Sequence, residues 1–175
     1  MQYDGGTILA LDPAIRTGIA EGVPGAVPSL AHIDFRRDPV EDSADIFARA
    51  LRWAGHRFAD DPPSLLVLED LVLVYDKTIQ SGLQAIFLAV ARCKGVPVQI
   101  VKVATWRLHV LGSGKLKGPV AKQRAVEVCH MLGWVPEGQK LTHDAAEAGC
   151  QWLHACSLVA PRQAQRAPLF LREAR

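Results

Sequence analysis

The 175-residue sequence predicts an α/β fold built on a five-stranded mixed sheet, and three observations carry that expectation. Short apolar runs of strand length fill the chain up to Phe35 and recur at Leu65–Leu68 and Val96–Val101. Segments with apolar residues at helical spacing separate the later runs. Proline and glycine breakers fall between the two kinds of segment, so the order reads βββαβαβααα.

Thr7–Leu11 is a buried strand that stops at Asp12, because Pro13 has no amide to continue the ladder. Thr17–Gly22 and Ser29–Phe35 follow as two further strands, parted by Pro24, Gly25 and Pro28, and three consecutive strands imply an antiparallel meander. From about Val40, apolar residues at Ile46, Ala50, Leu51, Trp53 and Ala54 predict a helix to Phe58, with Asp42 or Ser43 as its cap. Asp60-Asp61-Pro62-Pro63 ends it. Leu65–Leu68 is apolar throughout, the mark of a strand covered on both faces, and Glu69 stands at its C-terminal end. A second helix spans Thr78–Lys94 with Gly95 as its stop, and Val96–Val101 is the fifth strand. Thr105–Leu111 reads as a short helix, Gly112–Pro119 as a basic loop, and Val120–Leu132 and Thr142–Leu158 as the last two helices. The fold is expected to occupy residues 1–160 as one domain, followed by a basic tail over 161–175.

Composition narrows the function classes. No apolar run approaches the roughly 20 residues that a membrane helix needs, and the start lacks a basic stretch followed by a hydrophobic one, so a cytoplasmic protein is expected. Cys93, Cys129, Cys150 and Cys156 form no C-x-x-C pair and lie in apolar segments; buried thiols in a reducing compartment are expected, not structural zinc. Charge is unevenly spread: through Ala91, 13 acidic residues outnumber 7 basic ones, whereas from Arg92 onward 13 basic residues face 5 acidic ones. Clustered Lys and Arg gain affinity for phosphate by displacing counterions, so the second half is expected to face nucleic acid.

The chemistry resides in carboxylates. An unpaired acidic group at the end of a buried strand loses several kcal/mol on leaving water, and two strands end this way, at Asp12 and Glu69. Thr142-His143-Asp144-Ala145-Ala146-Glu147-Ala148 adds two more, since Asp144 and Glu147 at i, i+3 share a helix face and the alanines allow close approach. With Thr142 as the cap, both carboxylates are expected in the first turn. Four acidic groups converging at one end of a sheet repel one another unless a cation lies between them, and hard divalent ions such as magnesium or manganese suit oxygen ligands.

These segments resemble the successive motifs of RuvC-type Holliday junction resolvases. The resemblance is carried by Ile8–Gly18 with Asp12, by Val67-Leu68-Glu69, by Trp106 with Gly112-Ser113-Gly114, by Lys122, and by Asp144-Ala145-Ala146-Glu147-Ala148. It extends from Thr7 to Leu158, and the Trp106 version of the middle motif is similar to phage and prophage members. It implies a ribonuclease H-like fold and a homodimer that nicks two strands of a four-way DNA junction, with no organic cofactor. It further implies two magnesium ions per site, replaceable by manganese, with Asp12 bridging them and Glu69, Asp144 and Glu147 completing their shells. Lys122 falls near the family's backbone-facing basic residue. Lys115, Lys117 and Arg124 are further candidates for phosphate contact, and Tyr75 and Lys77 lie where the family carries residues that open the junction centre. Glu147 departs from the pattern, being longer by a methylene than the usual Asp; His143 is a candidate ligand, proton carrier or helix cap.

Other readings use the same residues. An actin- or sugar-kinase-type phosphotransferase also opens on a strand with Asp followed by Thr-Gly, but the second phosphate-binding Asp-Gly segment is missing. A ribonuclease H-like or YqgF-like RNA nuclease, and a DNA-binding member with weakened catalysis, differ from the junction nuclease in substrate or rate rather than in these motifs.

Overall fold

The computed structural model describes residues 3–70 and 78–166. Tyr75 and Lys77 therefore lie outside the described residues, as does the end of the basic tail. Strands β1 (Ile8–Asp12), β2 (Arg16–Gly22) and β3 (Ser29–Asp34) form the expected antiparallel meander, and β4 (Leu65–Asp70) and β5 (Val98–Lys102) extend it in parallel on the other side of β1. The sheet order is β3-β2-β1-β4-β5. Helices α1 (Ser43–Asp60) and α2 (Thr78–Cys93) cover one face, and α3 (Val103–Leu111), α4 (Gly118–Met131) and α5 (His143–Val159) cover the other.

The two central strands are buried on both sides, as their unbroken apolar runs require. Leu9, Leu11, Leu66 and Leu68 point into the core beneath α1 and α2, whereas Ile8, Ala10, Leu65 and Val67 point into the core beneath α3, α4 and α5. Asp42 caps α1 by accepting from the Asp45 amide at 3.0 Å, and Ile46, Ala50, Ala54 and Phe58 form its buried stripe. α5 differs in kind, because Ala145 to Cys156 are buried without interruption; its small residues let it lie directly on β1 and β2.

Four local expectations need correction. The fifth strand begins at Val98 rather than Val96, because the Val96 amide donates to the Ala91 carbonyl at 2.9 Å and closes the end of α2 around Gly95. α3 starts two residues early, at Val103, directly from β5. α4 already includes Gly118 and Pro119, which were expected in the basic loop; proline is well suited to a first helical turn, where its missing N–H is no loss. Cys93 is exposed at the end of α2, while the other three thiols are buried. At the chain's far end, Ala164 packs against the core and Gln165 accepts from the Trp134 indole at 2.7 Å, so the start of the tail is attached to the domain. Among the described residues, no helix is long and apolar enough to cross a membrane.

Candidate active site

Asp12 ends β1 opposite Gly18 of β2. The turn between them is fixed by the buried Thr17 hydroxyl, which donates to the Ala14 carbonyl at 2.7 Å. A Cβ on Gly18 would lie 1.9 Å from the Asp144 carbonyl oxygen, so only glycine lets the first turn of α5 rest on the strand beside Asp12. On the other side of β1, Leu11 pairs with Leu68, and one step further the parallel register sets Glu69 next to Asp12. The Gln84 side chain holds the Glu69 backbone by donating to its carbonyl at 2.7 Å.

The α5 contribution is set by its cap. Thr142 accepts from the Ala145 amide at 3.3 Å, which starts the helix at His143 and puts Asp144 in the first turn. Glu147 falls in the second turn, not the first, because it lies five positions beyond the cap. Asp144, Glu147 and Gln151 then lie along one stripe. The strand ends and this stripe bring Asp12, Glu69, Asp144 and Glu147 together electrostatically: burial pushes the Asp12 carboxyl well above the usual aspartate range, and Glu69, Glu147 and Asp144 push it further, with Lys122 opposing. Glu147 is also raised by burial, against the pull of Arg107 and Lys122.

Trp106, Gln151, Arg107 and Lys122 reach the cluster from the surrounding elements. The Trp106 indole donates to Glu69 Oε2 at 3.0 Å and the Gln151 amide donates to the same oxygen at 3.4 Å. Arg107 Nη2 lies 3.0 Å from Glu147 Oε1, and Lys122 Nζ lies 3.9 Å from Glu147 Oε2 and 4.0 Å from Asp144 Oδ1. Lys122 thus stands in the cluster itself. Lys115 and Lys117 are exposed on the α3–α4 loop, His143 is exposed at the start of α5, and Arg124 donates to the Leu111 carbonyl at 3.3 Å. A cleft of about 570 Å³, lined by Ala14, Ile15, Arg16, Thr78, Ile79, Gln80 and Asp144, opens beside the cluster.

Sequence reasoning missed Arg107 and Gln151. Gln151 was detectable, being four residues beyond Glu147 on the same stripe. Arg107 carried no signal, because its role depends on how α3 packs against α5.

A divalent ion fits the donor chemistry, since the cluster offers hard carboxylate oxygens and its central member is disfavoured as an anion without a countercharge. The oxygens do not converge on one point: among the described residues, no three His, Cys, Asp or Glu side chains stand close enough to share an ion. Asp12, Glu69, Asp144 and Glu147 are the carboxylates available to hold one, with Glu147 paired to Arg107.

The sheet order, with helices on both faces, is shared with solved RuvC structures, so the chain has a RuvC-like fold. The fold matches Thermus thermophilus RuvC at a TM-score of 0.63 and 16% identity, covering 87% of this chain and 95% of that one. It matches T. thermophilus RuvC in complex with a Holliday junction substrate at 0.64 and 18%, covering 88% and 97%. The yeast mitochondrial Holliday junction resolvase Ydc2 matches at 0.60 and 10%, covering 86% and 78%. No protein-family model matches the sequence, and no curated protein does.

Proposed function

We propose that this chain is a divalent-metal-dependent endonuclease that cuts branched DNA, with four-way junctions as its substrate class. The observation that carries the reading is the gathering of Asp12, Glu69, Asp144 and Glu147 at one end of the sheet, where burial first and the neighbouring carboxylates second hold the Asp12 carboxyl well above the ordinary aspartate range. The solved neighbour bound to a Holliday junction supports the choice of substrate.

A divalent ion such as magnesium, if held by Asp12, Glu69, Asp144 and Glu147, would supply Lewis acidity for phosphodiester hydrolysis. The chain's own residues do the rest. Trp106 and Gln151 orient Glu69 through hydrogen bonds, and Gly18 lets Asp144 sit beside Asp12. Lys122 is poised to offset charge on a phosphate entering the cleft, and Lys115 and Lys117 extend the basic surface along the α3–α4 loop. The domain is assigned to residues 1–160, and a homodimer would set two such sites across one junction. Leu83, Phe87, Val90 and Ala91 of α2 are engaged in the core shared with α1 and are not available for such pairing.

A cleavage panel of four-way junction, flap, RNA–DNA hybrid and plain duplex, each with magnesium and with chelator, tests the reading. Magnesium-dependent nicking of the junction above the other substrates is expected, and Asp12→Asn should abolish it while junction binding persists. Preferential cutting of the hybrid would move the assignment to an RNA-directed nuclease. Junction binding without cutting would make the chain a binding member of the fold, a role favoured by the Arg107 hold on Glu147.

A further inference from the structure

We propose that Arg16 is a substrate-binding residue of this site: its guanidinium grips a backbone phosphate of the strand to be cut, next to the phosphate that is hydrolysed, while the adjoining sugar rests in the cleft between the β1–β2 turn and α2. The inference rests on the junction-nuclease reading above and deepens it by extending the DNA path beyond the lysines of the α3–α4 loop and α4.

Three observations lead to it. The first is continuity. Arg16 and Asp144 line one cleft of about 570 Å³, and Asp144 also belongs to the carboxylate cluster. A strand with one phosphate at the cluster therefore has a neighbouring nucleotide in this cleft. Strand alternation places Arg16 on the same face as Gly18, on which the first turn of α5 rests, and nearer the start of β2. Lys122 reaches Asp144 from α4, whereas Arg16 approaches from the β1–β2 turn, so the two cations come to the same carboxylate from different elements.

The second observation is the match of chemistry. Ala14, Ile15 and Ile79 give the cleft apolar walls, and Arg16 gives it a cation. A nucleotide unit has the complementary parts, an apolar sugar edge and an anionic phosphate, and the planar guanidinium fork suits phosphate oxygens. The volume falls within the roughly 300–1,000 Å³ of sites that hold small ligands. Asp144 is the acidic member of the lining, and Lys122 Nζ stands 4.0 Å from it to offset its charge.

The third observation is a free side chain on a fixed backbone. The Thr17 hydroxyl donates to the Ala14 carbonyl at 2.7 Å and the Phe35 amide donates to the Ile15 carbonyl at 2.8 Å, which pins the turn immediately before Arg16. The guanidinium is held far less firmly. Among the described residues its ion pair is with Asp34 at 3.6 Å, too long for a hydrogen bond, and the two side chains are 54% and 42% exposed. A pair so exposed is screened by water and opens readily. Asp34 is not stranded when it does, because its other oxygen accepts from the Arg36 amide at 3.0 Å.

Binding of a four-way junction to the full chain, measured in chelator against rising salt, reads the contact. Arg16→Ala should make the fall of log affinity with log salt shallower by roughly 0.7–0.9, the share of one phosphate, and Arg16→Lys should keep the wild-type slope. Replacing single phosphates around the cleavage point with neutral methylphosphonates then locates it. One replacement beside the phosphate that is cut should weaken wild-type binding and cost Arg16→Ala nothing. Arg16→Gln, which keeps most of the side-chain length, gives the same readings should Arg16→Ala not fold. A slope unchanged by Arg16→Ala overturns the proposal and leaves Arg16 as the solvated partner of Asp34. Methylphosphonate penalties that are the same in wild type and variant at every position near the cleavage point overturn it too, because the contact would then lie elsewhere on the junction. No junction binding by the wild-type protein would instead remove the reading on which the inference rests.

Discussion

On one face of the sheet, α1 and α2 bring Phe35, Trp53, Phe58 and Phe87 into contact with ring centres 5.8 to 6.5 Å apart, closing an apolar layer over Leu9, Leu11, Leu66 and Leu68. On the other, α5 is buried along most of its length yet carries Glu147, Gln151 and His154 inward; among the described residues these and Thr17 are the buried polar side chains. Both faces exclude water, but among the described residues only the second buries ionisable side chains, Glu147 and His154. The contrast separates two jobs: the α1–α2 face supplies stability, and the α5 face gives some of it up to hold charges in place. The charged and imidazole groups buried on α5 therefore carry a cost in stability that the apolar α1–α2 layer does not.

The largest effect should come from the stabilising face. Phe87→Ala removes a fully buried ring from the aromatic layer and should cost about 3–5 kcal/mol in denaturant unfolding. Junction binding and metal uptake by the remaining folded protein should be unaltered. A variant that folds but loses metal uptake would show that the two faces are not independent.

The second prediction concerns Asp12, whose folded-state pKa is raised by burial and by the neighbouring carboxylates. The folded state therefore binds that proton more tightly than the unfolded chain, and the stability linked to it is present at low pH and lost as pH rises through the folded pKa. In chelator, Asp12→Asn should accordingly melt at a higher temperature than wild type at neutral pH, with the gap closing on acidification into the ordinary aspartate range. Magnesium should raise the wild-type melting temperature and leave the variant's unchanged. Equal melting temperatures in chelator would mean that Asp12 bears no burial cost.

A smaller effect is expected at Trp106, whose ring is buried and whose indole N–H holds Glu69. Trp106→Phe keeps most of the packing and removes the donor, so stability should fall by roughly 0.5–1.5 kcal/mol plus whatever the smaller ring leaves unfilled. Cleavage should fall further than binding, because Glu69 is less well oriented. A loss shared equally by cleavage and binding would assign Trp106 to packing alone.

What was legible in the sequence follows the same division. The order of elements could be read because β1 and β4 are continuous apolar runs and α1 has a spaced stripe with an acidic cap. Asp12, Glu69, Asp144 and Glu147 were legible because carboxylates at the ends of buried segments conflict with burial. The start of α3 was not, because Lys102 makes no side-chain cap and nothing local marks the end of β5. Arg107 was hidden for a related reason: an arginine in a short helix looks solvated until α3 is laid against α5. The α4 boundary was misplaced because Gly118-Pro119 reads locally as a breaker, although proline is tolerated in a first turn.

The smallest effect should lie at the other end of the polar stripe, where His154 of α5 meets His109 of α3 with their Nδ1 atoms 3.2 Å apart. His154 is 5% exposed, and burial, followed by the nearby His109, lowers its pKa to about 4. A depressed histidine pKa means that the unfolded chain takes up the proton first, so stability is intact above the ordinary histidine range and is lost as pH falls toward the folded value. Wild type should therefore lose melting temperature between about pH 6.5 and pH 4 beyond what its carboxylates account for. His154→Gln, which keeps a hydrogen-bonding side chain but cannot take up a proton there, should flatten that part of the profile and leave neutral-pH stability nearly unchanged. An identical acid limb in the variant would show that His154 is as easily protonated inside the fold as outside it, and the contrast between the two faces would then rest on the carboxylate end of α5 alone.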